Sequence, residues 1–103
     1  MKLILLLTLG VILISGCIGQ GESELMKQEC IQECQKALQE GRTLDDGPCL
    51  LNPMSNEDWV CDVAHDPRQP IDDIPENQCS AYRQRLASHF VEVDTDCKFI
   101  KSF

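Results

Sequence analysis

The chain has 103 residues, 17 of them acidic and 9 basic, for a formal charge of −8 with both histidines neutral. That balance excludes the usual nucleic-acid binder, whose affinity rests on lysines and arginines neutralising phosphates. The length holds one small domain and not two. Such a domain buries only about 60–65% of the surface its unfolded chain exposes, and all five aromatic residues (Trp59, Tyr82, Phe90, Phe99 and Phe103) fall in the second half. A chain this short needs covalent help, and its seven cysteines are the place to look for it.

Met1-Lys2 forms a short basic start, Leu3 to Ile14 an almost unbroken apolar run, and Ser15-Gly16 the small residues that a signal cleavage site requires. Ile14-Ser15-Gly16-Cys17 resembles the lipobox of prokaryotic lipoprotein precursors, and the following Ile18-Gly19 looks archaeal rather than bacterial. The resemblance implies cleavage after Gly16 and a palmitate-type lipid anchor on Cys17. The protein would then be held at the cell membrane, facing outside the cytoplasm. Two acyl chains give stable anchoring where one binds marginally, each buried methylene contributing about 0.8 kcal/mol. An uncleaved span needs about 20 apolar residues, and Ser15, Gly16, Gly19, Gln20 and Gly21 make the last third of this stretch too polar or glycine-rich. With residues 1–16 removed, 87 residues remain and eight basic side chains face 17 acidic ones. That charge holds the domain off an anionic lipid surface, so the lipid does the anchoring.

Six cysteines are left: Cys30, Cys34, Cys49, Cys61, Cys79 and Cys97. An even set in a short exported domain reads as three disulfides, each contributing around 3 kcal/mol for loops of about 15 residues. The expected organisation is a signal peptide over 1–16, a lipidated flexible tether over 17–23 and a disulfide-stabilised extracytoplasmic domain over 24–103.

From Glu24 the pattern becomes an amphipathic helix ending at Gly41, with Met26, Cys30, Cys34, Ala37 and Leu38 on one stripe. Residues 42–58 read as loop, because Asp-Gly-Pro and Asn-Pro flank Cys49. Trp59 to Val63 alternates as a strand with Trp59, Cys61 and Val63 inward. After a proline-rich loop from His65 to Ile74, Asp73 and Glu76 look like the capped start of a second helix that runs to about Ala87 and buries Cys79, Tyr82 and Leu86. Phe90–Val93 and Cys97–Ile100 read as a terminal hairpin across the turn at Asp94–Asp96. The fold class expected is α+β, with two helices on an antiparallel sheet of about three strands. Fifteen disulfide connectivities are open. Cysteines four apart on a helix do not readily bond to each other, and the arrangement favoured here, which sequence alone does not select, is Cys61–Cys97 within the sheet, Cys34–Cys49 across the first loop and Cys30–Cys79 between helices. The strand–loop–helix–strand order from Cys61 to Cys97, with Asn77 two residues before Cys79, resembles Kazal-type inhibitor domains. It implies a protease-inhibitor-like alternative. The chain lacks that family's Asp-Gly-x-Thr-Tyr stretch and any Gly after Cys61.

No catalytic constellation stands out. One Cys-x3-Cys without a second pair argues against zinc, and no Cys-x-x-Cys redox pair occurs. His65-Asp66 could form a base or ligand, and His89 closes the expected second helix, where a cation suits the dipole. Asp45-Asp46, Asp72-Asp73 and Asp94-x-Asp96 lack calcium-loop spacing and sit where turns and caps use Asp. The proline-ordered loop carrying His65, Asp66, Arg68 and Gln69 is the candidate binding segment. The reading is a non-enzymatic binding or accessory module of the cell envelope, without cofactor or metal and with an envelope protein as possible partner. The alternative is a small extracytoplasmic enzyme or metal-binding protein using His65 and Asp66.

Overall fold

The structure, a computed structural model, describes residues 18–103, so the signal and lipidation readings at residues 1–17 lie outside it. Its elements in chain order are α1 (Ile18–Gln39), β1 (Cys49–Leu51), β2 (Trp59–Val63), the 3-10 turns Pro70–Asp73 and Pro75–Asn77, α2 (Ser80–Arg83), β3 (His89–Val93) and β4 (Phe99–Ser102). The class is α+β as expected, with the sheet in the order β1-β2-β3-β4. Four strands replace the three expected, and the sheet is mixed: β2 and β3 run parallel while the outer pairs are antiparallel. A parallel pair cannot be joined by a tight turn and needs a crossover of a dozen or more residues. Residues 64–88 supply it, and their path decides where the site lies.

α1 follows its apolar spacing. Met26, Cys30, Cys34 and Ala37 are buried on one stripe, whereas Leu38 lies off it, 44% exposed. At the C-terminus Gly41 adopts φ +79°, and the amides of Gly41 and Arg42 donate to the carbonyls of Leu38 and Ala37. This left-handed closure satisfies carbonyls the helix leaves open. The N-terminus differs from the sequence reading, because residues 18–23 are helical rather than a flexible tether. Their helix is lashed to the turn before β2: the Asn56 amide donates to Glu22, and the Ser55 backbone and hydroxyl donate to Glu29.

The second helix is a single turn. Ile74 is extended before Pro75, as a residue preceding proline prefers, and Gln78 and Cys79 are extended too. Helix therefore begins only at Ser80. It stops after Arg83, and Arg85 two residues on adopts φ +62°. Leu86, expected on the buried face, is 72% exposed, and Ala81 and Ala87 fill that space with Cys79. β1 escaped the sequence reading because three residues between turn signals show no periodicity. His89 belongs to β3, not to a helix end.

All six cysteines are paired, in none of the expected combinations: Cys30–Cys61, Cys34–Cys97 and Cys49–Cys79. The helix cysteines do rivet α1 to two other segments, β2 and the turn before β4. Cys61 faces the helix from the inner row of a central strand, so it meets Cys30 and not Cys97. The inner face of the sheet, with Trp59, Cys61, Val63, Val91 and Val93, is sealed by α1. Removing the longest-range bridge with Cys34→Ala and Cys97→Ala opens a loop of sequence separation 63. A loss of about 4 kcal/mol in urea unfolding is expected from chain entropy; unchanged stability would contradict the clamp.

Candidate functional site

The opposite, outer face of the sheet is where polar chemistry collects. Alternation along β2 and β3 points Val60 and Asp62, and their in-register neighbours Phe90 and Glu92, away from α1. Lys101 of β4 stands beside Glu92 in the same row. The crossover passes over this face, leaving a cleft of about 660 Å³ between sheet and crossover. Ligand sites commonly span about 300–1,000 Å³. Tyr82 and Phe90, edge to face at 5.1 Å between centroids, make its aromatic wall. Cys49–Cys79 ties β1 to the start of α2, fixing that wall covalently.

The floor holds two carboxyls side by side. Asp62 and Glu92 are partners in the parallel register, and Glu92 is only 7% exposed. Arg68 reaches over from the crossover, its Nη1 3.0 Å from Glu92 Oε2, its Nε 2.8 Å from Asp73 Oδ1 and its Nη2 donating to the Asp72 carbonyl. The Asp73 carboxylate, and then Glu92, hold the Arg68 guanidinium above its ordinary pKa against its partial burial. Asp62 is less well served: its Oδ1 is buried without a hydrogen-bond partner among the described residues. Burial first, and then the negative charge of Glu92, raise the Asp62 pKa to about 8; Arg68 opposes the shift and Asp72 adds to it. Near neutral pH this side chain is a neutral acid able to donate as well as accept.

The rim is basic. Arg83, Arg85 and Lys101 line the cleft with Arg68, so four of the nine basic side chains of an acidic protein converge there. None of Arg83, Arg85 and Lys101 joins a salt bridge among the described residues. Arg85 sits in the left-handed region that favours glycine, a placement costing about 1 kcal/mol for an ordinary side chain.

The structure divides the four residues chosen from sequence. Arg68 enters the cleft. His65 instead turns to Asp72, not Asp66: Nδ1 lies 2.9 Å from Asp72 Oδ1, and the backbone amides of His65 and Gln69 both donate to Oδ2. Burial opposes ionisation of Asp72, but these donors outweigh it and hold the carboxyl below its usual range. Gly47 packs against this knot at φ +64°, where a Cβ would collide with the Asp72 carboxylate. Asp66 and the Gln69 side chain face solvent. A His held at Nδ1 by a buried carboxylate is chemically able to serve as a base at Nε2. The two histidines form no joint site, however. His89 is level with Trp59 and stacks on it at 4.6 Å, so six residues of β2 and its extension set His65 about 20 Å away. A smaller groove of about 340 Å³ lies at the His89 end. Among the described residues no three His, Cys, Asp or Glu side chains gather as metal ligands, and no helix is long and apolar enough to cross a membrane.

Asp62, Glu92, Arg83, Arg85 and Lys101 all escaped the sequence reading. The one available signal was an Asp at the fourth place of the Trp59–Val63 strand, where period two points it off the core but gives no hint that the crossover would cover it. Comparison with protein-family models, curated proteins and solved structures finds nothing that matches this chain.

Because the folded state holds the Asp62 proton up to about pH 8 and the unfolded chain releases it near pH 3.8, folded protein binds more protons between those limits. Stability therefore falls as pH rises from about 4 to 8. Asp62→Asn should flatten that decline in chemical denaturation, while a decline surviving the substitution would assign it elsewhere. Arg68→Ala should cost about 1–3 kcal/mol by leaving Glu92 unpaired. Glu92→Gln in the same chain should restore part of the loss; additive losses would deny the coupling.

Proposed function

We propose that this chain is a small lipid-anchored domain on the outer side of a cell membrane, acting as a non-enzymatic binding module of the envelope. The cleft over the outer sheet face is its binding surface. Two features support the address. Ile14-Ser15-Gly16-Cys17 has the lipobox pattern, and six cysteines engaged in three disulfides suit an oxidising compartment.

The observation that carries the binding reading is the unfinished polar inventory of the cleft. Buried polar atoms are almost always satisfied in folded proteins, yet among the described residues Asp62 keeps an orphaned oxygen beneath a rim of cations that form no salt bridge. A bound molecule completes that set. The scaffold around it is rigid, with one disulfide in the cleft wall and two behind the sheet, which lowers the ordering cost of recognition.

The test of the address is the intact mass of the protein taken from its native membrane, with and without reduction and thiol labelling. Loss of residues 1–16, a lipid on Cys17, and six thiols appearing only after reduction are the expected results. An uncleaved chain, or free thiols before reduction, would overturn it.

A further inference from the structure

We infer that the cleft selects a small organic anion, an acidic group carried on an apolar body, with Arg83, Arg85 and Lys101 receiving the acid and Tyr82 and Phe90 the body. The inference rests on the cleft being the binding surface proposed above, and names what it takes.

Three observations converge. The first is charge. The protein as a whole is strongly acidic, with a formal charge of −8, so a random surface hollow would be lined by carboxylates. This one gathers four cations and two carboxyls. Of these six, Arg68 and Glu92 are spent on each other at 3.0 Å, and Asp62 holds its proton to about pH 8. What faces an incoming molecule near neutrality is therefore a neutral acid and three positive charges that no salt bridge among the described residues engages, Lys101 lying 5.8 Å over the Phe90 ring. A neutral carboxyl does not repel an anion and can donate its proton's hydrogen bond to it.

The second is strain. α2 could end on glycine at no conformational cost, and elsewhere this chain uses glycine for that purpose, at Gly41 with φ +79°. At residue 85 the same left-handed geometry, φ +62°, is imposed on an arginine that lines the cleft. A backbone position held against its preference points to a use for the side chain it carries. The third is the wall. The edge of the Tyr82–Phe90 pair and Val60 make an apolar surface beside the cations, so the pocket distinguishes an organic acid from an inorganic ion.

Three probes of one shape separate the terms: benzoate, benzamide and benzylamine, titrated at millimolar concentration into the isotope-labelled, disulfide-intact protein near pH 6.5. Amide shifts locate each probe. Benzoate should move the amides around residues 83–90 and 101 and bind at least roughly tenfold tighter than benzamide, as expected for a charge-assisted pair. Arg85→Gly should be at least as stable as the parent, since glycine relieves the strained turn, and yet bind benzoate several-fold more weakly. Arg83→Gln, on the exposed side of α2, should weaken it likewise. If benzamide or benzylamine fills the cleft as tightly as benzoate, the anion inference fails while the cleft remains a binding site. Unchanged benzoate binding in Arg85→Gly also overturns it. If no probe moves the cleft amides, both the inference and the proposed binding surface fall.

Discussion

Cys30 and Cys34 lie one turn apart on a single helix face, and each is bonded to a different part of the sheet, one to the central strand β2 and the other to the turn ahead of β4. That double rivet fixes which side of the sheet the long helix covers. With α1 clamped down, the inner row of Trp59, Cys61, Val63, Val91 and Val93 has its apolar partner, and the helix cannot serve the other face. The burden of covering that face falls to the crossover which the parallel β2–β3 pair requires in any case. Its short turns and single helical turn cover the face incompletely, and the gap between them is the cleft.

The choices made at that gap run against ordinary stability. Two carboxyls stand side by side on adjacent central strands, one of them without a partner for its buried oxygen among the described residues. An arginine is spent neutralising the other, and a second arginine holds a backbone conformation suited to glycine. Sequences that otherwise agree with their folds tend to break such rules where function is carried. The knot around Asp72 shows the contrast. There a buried carboxylate is fully satisfied by two backbone amides and a histidine ring, with Gly47 making room. That is a structural staple for the crossover. Asp62, a few ångströms along the same sheet face as Glu92, has no such company.

Local patterns carried much of this architecture in the sequence. The α1 stripe, its glycine closure, the inward side of β2 and the final hairpin all rest on near-neighbour spacing, and they stand with shifts of a few residues. The parallel pairing of β2 with β3 and the three disulfide partners depend on contacts 30 to 63 residues apart, which no window of sequence contains. The collapse of the second helix lies between these extremes. Pro75 warned of it, but nothing in the local sequence marks Arg85 for a left-handed turn. The candidate site was legible only at Arg68. Its other members come from β2, β3, β4 and α2, and nothing in their sequence positions brings them together. His65 attracted attention through its neighbour Asp66, while its real partner stands seven residues on.

Everything above depends on the helix being clamped to the inner face, so the pairing of the cysteines is the measurement that bears on it most directly. Non-reducing peptide mapping, with cleavage after Glu33 to separate Cys30 from Cys34, reads the pairs without ambiguity. The expected pairs are Cys30–Cys61, Cys34–Cys97 and Cys49–Cys79. A Cys61–Cys97 bridge, or either helix cysteine joined to Cys79, would lift α1 from the inner face and dissolve the cleft with it.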